Sequence, residues 1–337
     1  MVVFLHHIPL PSDSWLNYFS KSGGVGVIFF FVLSGFLITY ILLNEKVRKS
    51  GIVLKNFLVR RILRIWPLFY ALLLFAFLTP FILNFMNISY SNEGDQPNWL
   101  MSVLFLENYK MMIEGAFPNV SPLVVMWSVC IEEHFYIVWG LLISFLSLRK
   151  IPHLIIASVL VANISRIIYA YYGISPTDLL ANADYFAYGA GVAWILIFKP
   201  EIIQKLEKIN PLIKYLVALI ALTLVFGVPN NENDLIRLIA PTFYGIFFSA
   251  TILFTLPKRN CLKINNSSLF TKLGTYTYGM YLIHTIVINF FLKFQITKYG
   301  SEWWFIFAES LLFTIVLSIL SYNLFEKQFL KLKKYFY

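Results

Sequence analysis

The chain has 337 residues, 59% hydrophobic and only 13% charged, with a formal net charge of +10. Apolar runs of about 20 residues recur along it, which excludes a water-soluble globular domain and indicates a polytopic helical membrane protein. The basic residues sit in short loops between these runs, where they set topology, so the positive charge does not point to nucleic acid. The chain has no zinc-type Cys/His spacing, no phosphate-binding Gly-rich loop and no internal repeat.

In chain order the pattern predicts an all-α transmembrane bundle of about ten spans. The first, 1–10, is partial. The others cover about 25–43, 62–85, 126–147, 153–172, 183–198, 212–228, 236–256, 274–295 and 303–325. The opening Met1-Val2-Val3-Phe4-Leu5-His6 has no charged leader and no cleavage site, so it is not a signal peptide. It reads as the last turns of a helix whose beginning is missing. Loops 44–61, 199–214 and 257–272 and the tail are basic. They carry Arg60, Arg61, Lys258, Arg259, Lys331, Lys333 and Lys334 among others. Loops 86–125, 173–182 and 229–235 are acidic or neutral. This alternation places the basic loops and the C-terminus in the cytoplasm. The chain reads as one membrane domain, 1–337. Its largest extracytoplasmic piece, about 86–125, holds Glu93, Asp95, Trp99, Glu107 and Glu114. That loop is too small for a catalytic domain but large enough to cap an outer site. Cys130 and Cys261 fall on opposite sides and should not pair.

Ionisable groups inside a membrane are costly, so each needs a reason. His6 and His7 end the first helix on the outer side. Glu132, Glu133 and His134 are expected one to two turns inside the outer end of their helix. Arg166, Asp184 and Glu309 also fall in outer halves, and His284 near mid-membrane. The inner counterpart is Arg60-Arg61-Ile62-Leu63-Arg64. Arg61 and Arg64, three apart, share one helix face. Their planar donor forks suit a phosphate-bearing ligand, and a topology anchor is the alternative reading. A basic inner pole and an outer pole of His and carboxylates suit acid–base chemistry on a long, thin donor. An acyl-CoA can keep its phosphates inside while its thioester arm threads outward through a core of about 30 Å.

Three further stretches carry polar groups. Gly23-Gly24-Val25-Gly26 leads to Ser34-Gly35, where Ser34 either lines a tunnel for the donor or simply sits in close helix packing. Trp127-Ser128 runs into Glu132-Glu133. Adjacent residues point about 100° apart, so one glutamate faces the site while the other pairs with Arg166 or reaches outer water. Buried ion pairs holding the bundle together are the alternative. His284 taken alone reads as an interhelical hydrogen-bonder.

These stretches resemble the acyltransferase-3 family of integral membrane O-acyltransferases. Val2-Val3-Phe4-Leu5-His6 is similar to the end of its first helix. Phe30-Phe31-Val32-Leu33-Ser34-Gly35-Phe36 resembles its second-helix signature, and Arg61-Ile62-Leu63-Arg64 its Arg-x-x-Arg motif. Trp127-Ser128 to Glu132-Glu133 is similar to its Trp-Ser-Leu-x-x-Glu motif. Tyr278, Tyr281-Leu282 and His284, then Ser321-Tyr322 with Glu326, resemble its last two helices. The resemblance implies transfer of an acyl group, usually acetyl, from cytoplasmic acyl-CoA to a hydroxyl of a surface or secreted carbohydrate. It implies Arg61 and Arg64 as phosphate ligands and His6 as the catalytic histidine, with His7 the other candidate. A family arginine about ten residues before that histidine has no counterpart among the five residues preceding His6, and the family's optional C-terminal esterase-like extension is not expected.

The mechanism expected is general base catalysis by His6, with Glu132 or Glu133 fixing its tautomer, orienting the acceptor or stabilising the imidazolium. Arg61, Arg64 and Ser34 would contact acetyl-CoA. Asp184, Arg166, His284 and Trp127 would contact the acceptor. No metal is expected. The protein would be a multi-pass component of the cytoplasmic (inner) membrane, with acyl-CoA, a carbohydrate hydroxyl and the bilayer as partners. A transporter or flippase, and a catalytically degenerate family member, are the competing classes.

Overall fold

The computed structural model describes residues 2–88, 94–120, 122–258, 260–265, 267–295 and 303–336, without the side chains of 294 and 295. Glu93 and Arg259, named above among the loop charges, lie outside the described residues. Short α1 (Val2–His6) and one-turn α2 (Asn17–Ser20) lead into α3 (Gly23–Lys49) and α4 (Leu54–Phe85). Short α5 (Trp99–Val103) and α6 (Glu107–Glu114) precede α7 (Leu123–Phe145), α8 (Ile151–Tyr172) and α9 (Leu179–Phe198). The chain continues through α10 (Pro200–Glu207), α11 (Pro211–Gly227), α12 (Asp234–Thr255) and α13 (Leu269–Gly274) to α14 (Thr277–Gln295) and α15 (Trp303–Ser321). A π turn over Tyr322–Glu326, α16 (Lys327–Lys331) and a 3₁₀ turn over Leu332–Phe336 form the tail.

Among the described residues this is an all-α membrane bundle. Seven of its helical segments are long and apolar enough to cross a bilayer, eight if α9 and α10 form one bent span. Each of the nine full spans expected from the sequence has a helix at its place. Polar-studded α14 falls outside the seven, and the partial first span is the five-residue α1. The 96° bend between α9 and α10 has a local cause. Pro200 disfavours helical dihedrals at Lys199, which sits at φ −134°, ψ 53°, and then starts a new helix at its first position.

The spine of the bundle is α3 against α9. A Cβ on Gly35 would lie 2.1 Å from the Phe186 carbonyl oxygen, and one on Gly189 would lie 1.9 Å from that of Val32. Glycine is therefore required at both positions, and the two backbones touch, as small residues allow in lipid. The close-packing reading of Gly35 holds. Phe186 then stacks on Phe31 at 4.8 Å and on Phe135 at 4.0 Å, which ties α7 to the same spine. The Trp139 indole N–H donates to Thr39 Oγ1 at 2.8 Å.

The far end of α3 is fixed by charge. Lys46 Nζ donates to the carbonyls of Ile143, Ser144 and Leu146, satisfying the last turn of α7. Arg60 pairs with Glu45 at 3.1 Å and donates to the Phe336 carbonyl, so α3, α4 and the tail meet there. Gly23, at the other end of α3, packs against the His6 ring. Gly23 and Glu45 are separated along the helix by about 33 Å at 1.5 Å per residue. The histidine and arginine ends of the bundle are thus a bilayer core apart.

The 86–125 region does more than cap. Phe105 reaches in to stack on Phe69 at 4.2 Å and lies 5.7 Å from Trp66. Tyr70 donates to the Val103 carbonyl. Trp66 is about 18 Å along α4 from its start, so this segment folds back into the bundle rather than staying outside it. Phe105 accepts φ +59° to do so, a strained value for a bulky residue.

Candidate functional site

A partly open space lies between the two ends. A cavity of ≈ 200 Å³ lies between α1, α3, α7, α14 and α15, with Val27, Ser128, Glu132, Tyr278, His284 and Thr314 among its walls. It is small beside the roughly 300–1,000 Å³ of pockets that enclose whole drug-sized ligands, so it has room for part of such a ligand. Tyr278 donates to the carbonyl of Ile65, the residue after the arginine motif. His284, at the other extreme, is 3.2 Å from His7. Through these two wall residues the cavity is tied to α4 beside the arginine motif and to the histidine cluster.

The histidine end holds three imidazoles. The rings of His6 and His7 are 5.1 Å apart, and those of His7 and His284 are 5.0 Å apart. A carbonyl only accepts, so its partner nitrogen carries the proton. His6 Nδ1 donates to the Ser20 carbonyl at 2.8 Å, and His284 Nδ1 to that of Tyr281 at 2.6 Å. His7 Nδ1–H is shared between the Val3 carbonyl at 2.9 Å and His284 Nε2. In the neutral rings this leaves lone pairs at Nε2 of His6 and of His7. His6 is exposed, and His7 is half-buried. The Ser20 carbonyl, not Glu132 or Glu133, fixes the His6 tautomer. His284 is joined to this cluster rather than standing alone near mid-membrane.

Glu132 lies deeper than the sequence suggested. It accepts from Ser34 Oγ, halfway along α3, and from Tyr136 OH at 2.9 Å, both at Oε1. The α-helical advance puts it about 14 Å along α7 rather than one to two turns in. Its Oε2 takes no hydrogen bond from a described residue. Ser34 thus serves the carboxylate. Ser128 bonds Tyr281 OH at 2.7 Å on the same wall. Glu133 points elsewhere, as the 100° rotation requires. It is buried, its Oε1 has no hydrogen-bond partner, and Trp66 and Arg61 face it. It does not pair with Arg166.

At the arginine end Arg61 lies within electrostatic reach of Glu132 and Tyr136, so the motif faces the cavity carboxylate. Its Nε is buried with no hydrogen-bond partner, and its guanidinium sits 5.8 Å over the Phe57 ring. Arg64 is exposed. Arg60 is used structurally, as described above.

The structure does not bring Asp184, Arg166 or Trp127 to this cavity. Asp184 is fully buried and forms a double hydrogen-bonded pair with Arg166, at 2.9 and 2.5 Å, between α9 and α8. Arg166 also donates to the Ala181 carbonyl and to Asn163 Oδ1. Both charges are spent on each other, as in a structural pair. Trp127 packs edge-on to Phe31 at 6.5 Å. The sequence assigns no chemical role to Tyr136, Tyr278 or Tyr281. Their hydroxyls tie the motifs together, and the signal for Tyr136 and Tyr281 is a tyrosine one turn from a motif carboxylate or histidine. Among the described residues no three His, Cys, Asp or Glu side chains converge on a metal-sized site.

A family model described as an acyltransferase domain matches residues 1–323. The chain belongs to this acyltransferase family. It is 28% identical over 313 residues to the peptidoglycan O-acetyltransferase OatA of Listeria monocytogenes, covering 86% of this chain and 47% of that protein. It is 27% identical over 346 residues to a putative peptidoglycan O-acetyltransferase, YrhL, of Bacillus subtilis, covering 93% and 51%. A putative O-acetyltransferase of Staphylococcus aureus (strain COL) is 26% identical over 365 residues, with 98% and 55% covered. The chain spans about half the length of these relatives. No solved structure matches it.

Proposed function

We propose that this acyltransferase takes an acyl group, usually acetyl, from cytoplasmic acyl-CoA and delivers it to a hydroxyl of an extracytoplasmic carbohydrate. The observation that supports this reading is a cavity walled by Tyr278, Glu132 and His284, with Tyr278 bonded beside the arginine motif and His284 bonded to the histidine cluster. The phosphates of the donor sit on Arg61 and Arg64, where paired guanidinium forks match them. The thioester arm threads past Tyr278 and Glu132. The acceptor arrives from the outer face, where His6 is exposed.

His6 Nε2 takes the proton of the acceptor hydroxyl as its oxygen attacks the thioester carbonyl carbon. The C–S bond breaks, the CoA thiolate leaves, and a proton returns to the sulfur. An acyl-histidine intermediate on Nε2 is the two-step version of the same chemistry. The Ser20 carbonyl supports either route by holding the Nδ1 proton in place and orienting the ring. Glu132, anchored by Ser34 and Tyr136, orients the reacting groups through Oε2. Membrane localisation fits a multi-pass protein of the cytoplasmic membrane. The named activity of the Listeria and Bacillus relatives makes peptidoglycan the first glycan to assay.

The test is the O-acyl content of peptidoglycan and other surface and secreted glycans in a deletion strain. The strain is complemented with the full chain, with His6→Ala or with His7→Ala. O-acetyl should vanish on deletion, return with the chain and stay absent with His6→Ala, a loss of about 10²–10⁴-fold in rate. Restoration by a well-expressed His6→Ala protein would remove His6 from the mechanism. An unchanged glycan profile on deletion would remove the carbohydrate acceptor.

A further inference from the structure

The tail returns to the arginine motif. After the π turn, the 3₁₀ segment Leu332–Phe336 lies against α4, held by the Arg60 hydrogen bond to the Phe336 carbonyl. This places half-buried Lys333 within electrostatic reach of Arg60, Arg61 and Arg64. Of these four cations only Arg60 has a salt-bridge partner, Glu45. Glu132 faces Arg61 and Arg64, and Glu326 faces Arg64. Among the described residues, however, no carboxylate lies within 4.0 Å of Arg61, Arg64 or Lys333. Arg61 keeps a buried, unbonded Nε–H. Three cations without a contact ion pair, gathered at a low-dielectric protein edge, repel one another, and a multivalent anion relieves that repulsion.

We propose that Lys333 is the third cation of a phosphate-binding site shared with Arg61 and Arg64, and that its ligand is a phosphate of the acyl donor. This rests on the acyl-CoA reading above and adds to it a binding residue from outside the Arg-x-x-Arg motif. The tail, latched by Arg60, then forms one jaw of the donor site. Lys334 is the built-in control. It is one residue away, exposed, and turned onto the Tyr335 ring at 4.9 Å.

The experiment is titration of the full-length protein with coenzyme A in nanodiscs of phosphatidylcholine alone or with added phosphatidylglycerol. Pantetheine, which lacks the phosphates, is the second probe. Lys333→Ala should weaken coenzyme A binding about tenfold, the value of one charge-assisted contact. Lys333→Arg should restore it to within about twofold, Lys334→Ala should leave it within about twofold, and pantetheine binding should not respond. Coenzyme A binding that falls with Arg61→Ala but is untouched by Lys333→Ala would overturn the role of the tail while sparing the acyl-CoA reading. A Lys333 dependence confined to phosphatidylglycerol retention, with coenzyme A unaffected, would make the phosphate a lipid headgroup and also overturn it. A wild-type protein that binds no coenzyme A in either membrane would overturn both.

Discussion

Two groups of buried charge in this bundle have opposite designs. Arg166 and Asp184 meet as a bidentate pair, with Ala181 and Asn163 taking further guanidinium hydrogens. Arg61, Arg64 and Lys333 lie within electrostatic reach of one another, with no carboxylate of the described residues in contact. The first group is complete within the fold. The second is complete only with something added. Membrane burial of a charge is therefore a weak guide to function until its partners are known.

The sharpest break of this contrast is at the pair. Asp184→Ala leaves Arg166 buried without its counter-ion and should destabilise the protein by about 3–5 kcal/mol, read by thermal unfolding in detergent. Replacing both with apolar residues of similar volume should recover most of that loss. If Asp184→Ala instead unfolded like wild type and lost transfer activity, the pair would belong with the functional charges. Arg61→Ala should do the reverse. Its melting temperature should stay near wild type while the apparent KM for the donor rises about tenfold or more. A large stability loss there would erase the distinction.

Smaller changes sharpen it further. Ser34→Ala removes one of two hydroxyls on Glu132 Oε1 and should lower kcat/KM by about threefold to tenfold, the value of a hydrogen bond to a charged group. Unaltered kinetics would show that Tyr136 alone suffices. Least in size is Glu107, which lies outside the spanning helices and accepts from Ser102 at 2.5 Å. Burial pushes its carboxyl above the usual range, against that hydrogen bond. A raised value means the stabilising neutral form is fully present at low pH and is lost as pH rises through it. Glu107→Gln should therefore melt about 1–3 °C above wild type at pH 7, with the gap closing toward pH 4. A gap that widened in acid would mean the ionised form is the one the fold prefers.

Much of this was legible in one dimension. Apolar runs and loop charges set the helix order, and five ordered motifs pointed to the family. The partners of the charges were not legible. Asp184 and Arg166 both read as acceptor ligands because a linear pattern shows charge without its neighbour. A clue existed in their position, since both sit near the short link between α8 and α9, where antiparallel neighbours bring such residues together. The depth of Glu132 was misplaced because the helix starts at Leu123, which added most of a turn before the motif. Lys333 read as a topology lysine. Its placement depends on the π turn at Tyr322–Glu326, which no local pattern announces. The link between His7 and His284 joins residues 277 apart in sequence, beyond any periodicity.

The backbone contact at Gly35 and Gly189 has a mechanical consequence. One face of α3 is locked to α9 with no slack, while its other face forms a wall of the cavity. Breathing of that cavity must then come from the opposite wall, the α14–α15 hairpin, moving against a fixed anvil. Spin labels across α3 and α9 would report one narrow distance throughout turnover, and labels from α3 to α15 would carry the whole amplitude of the stroke.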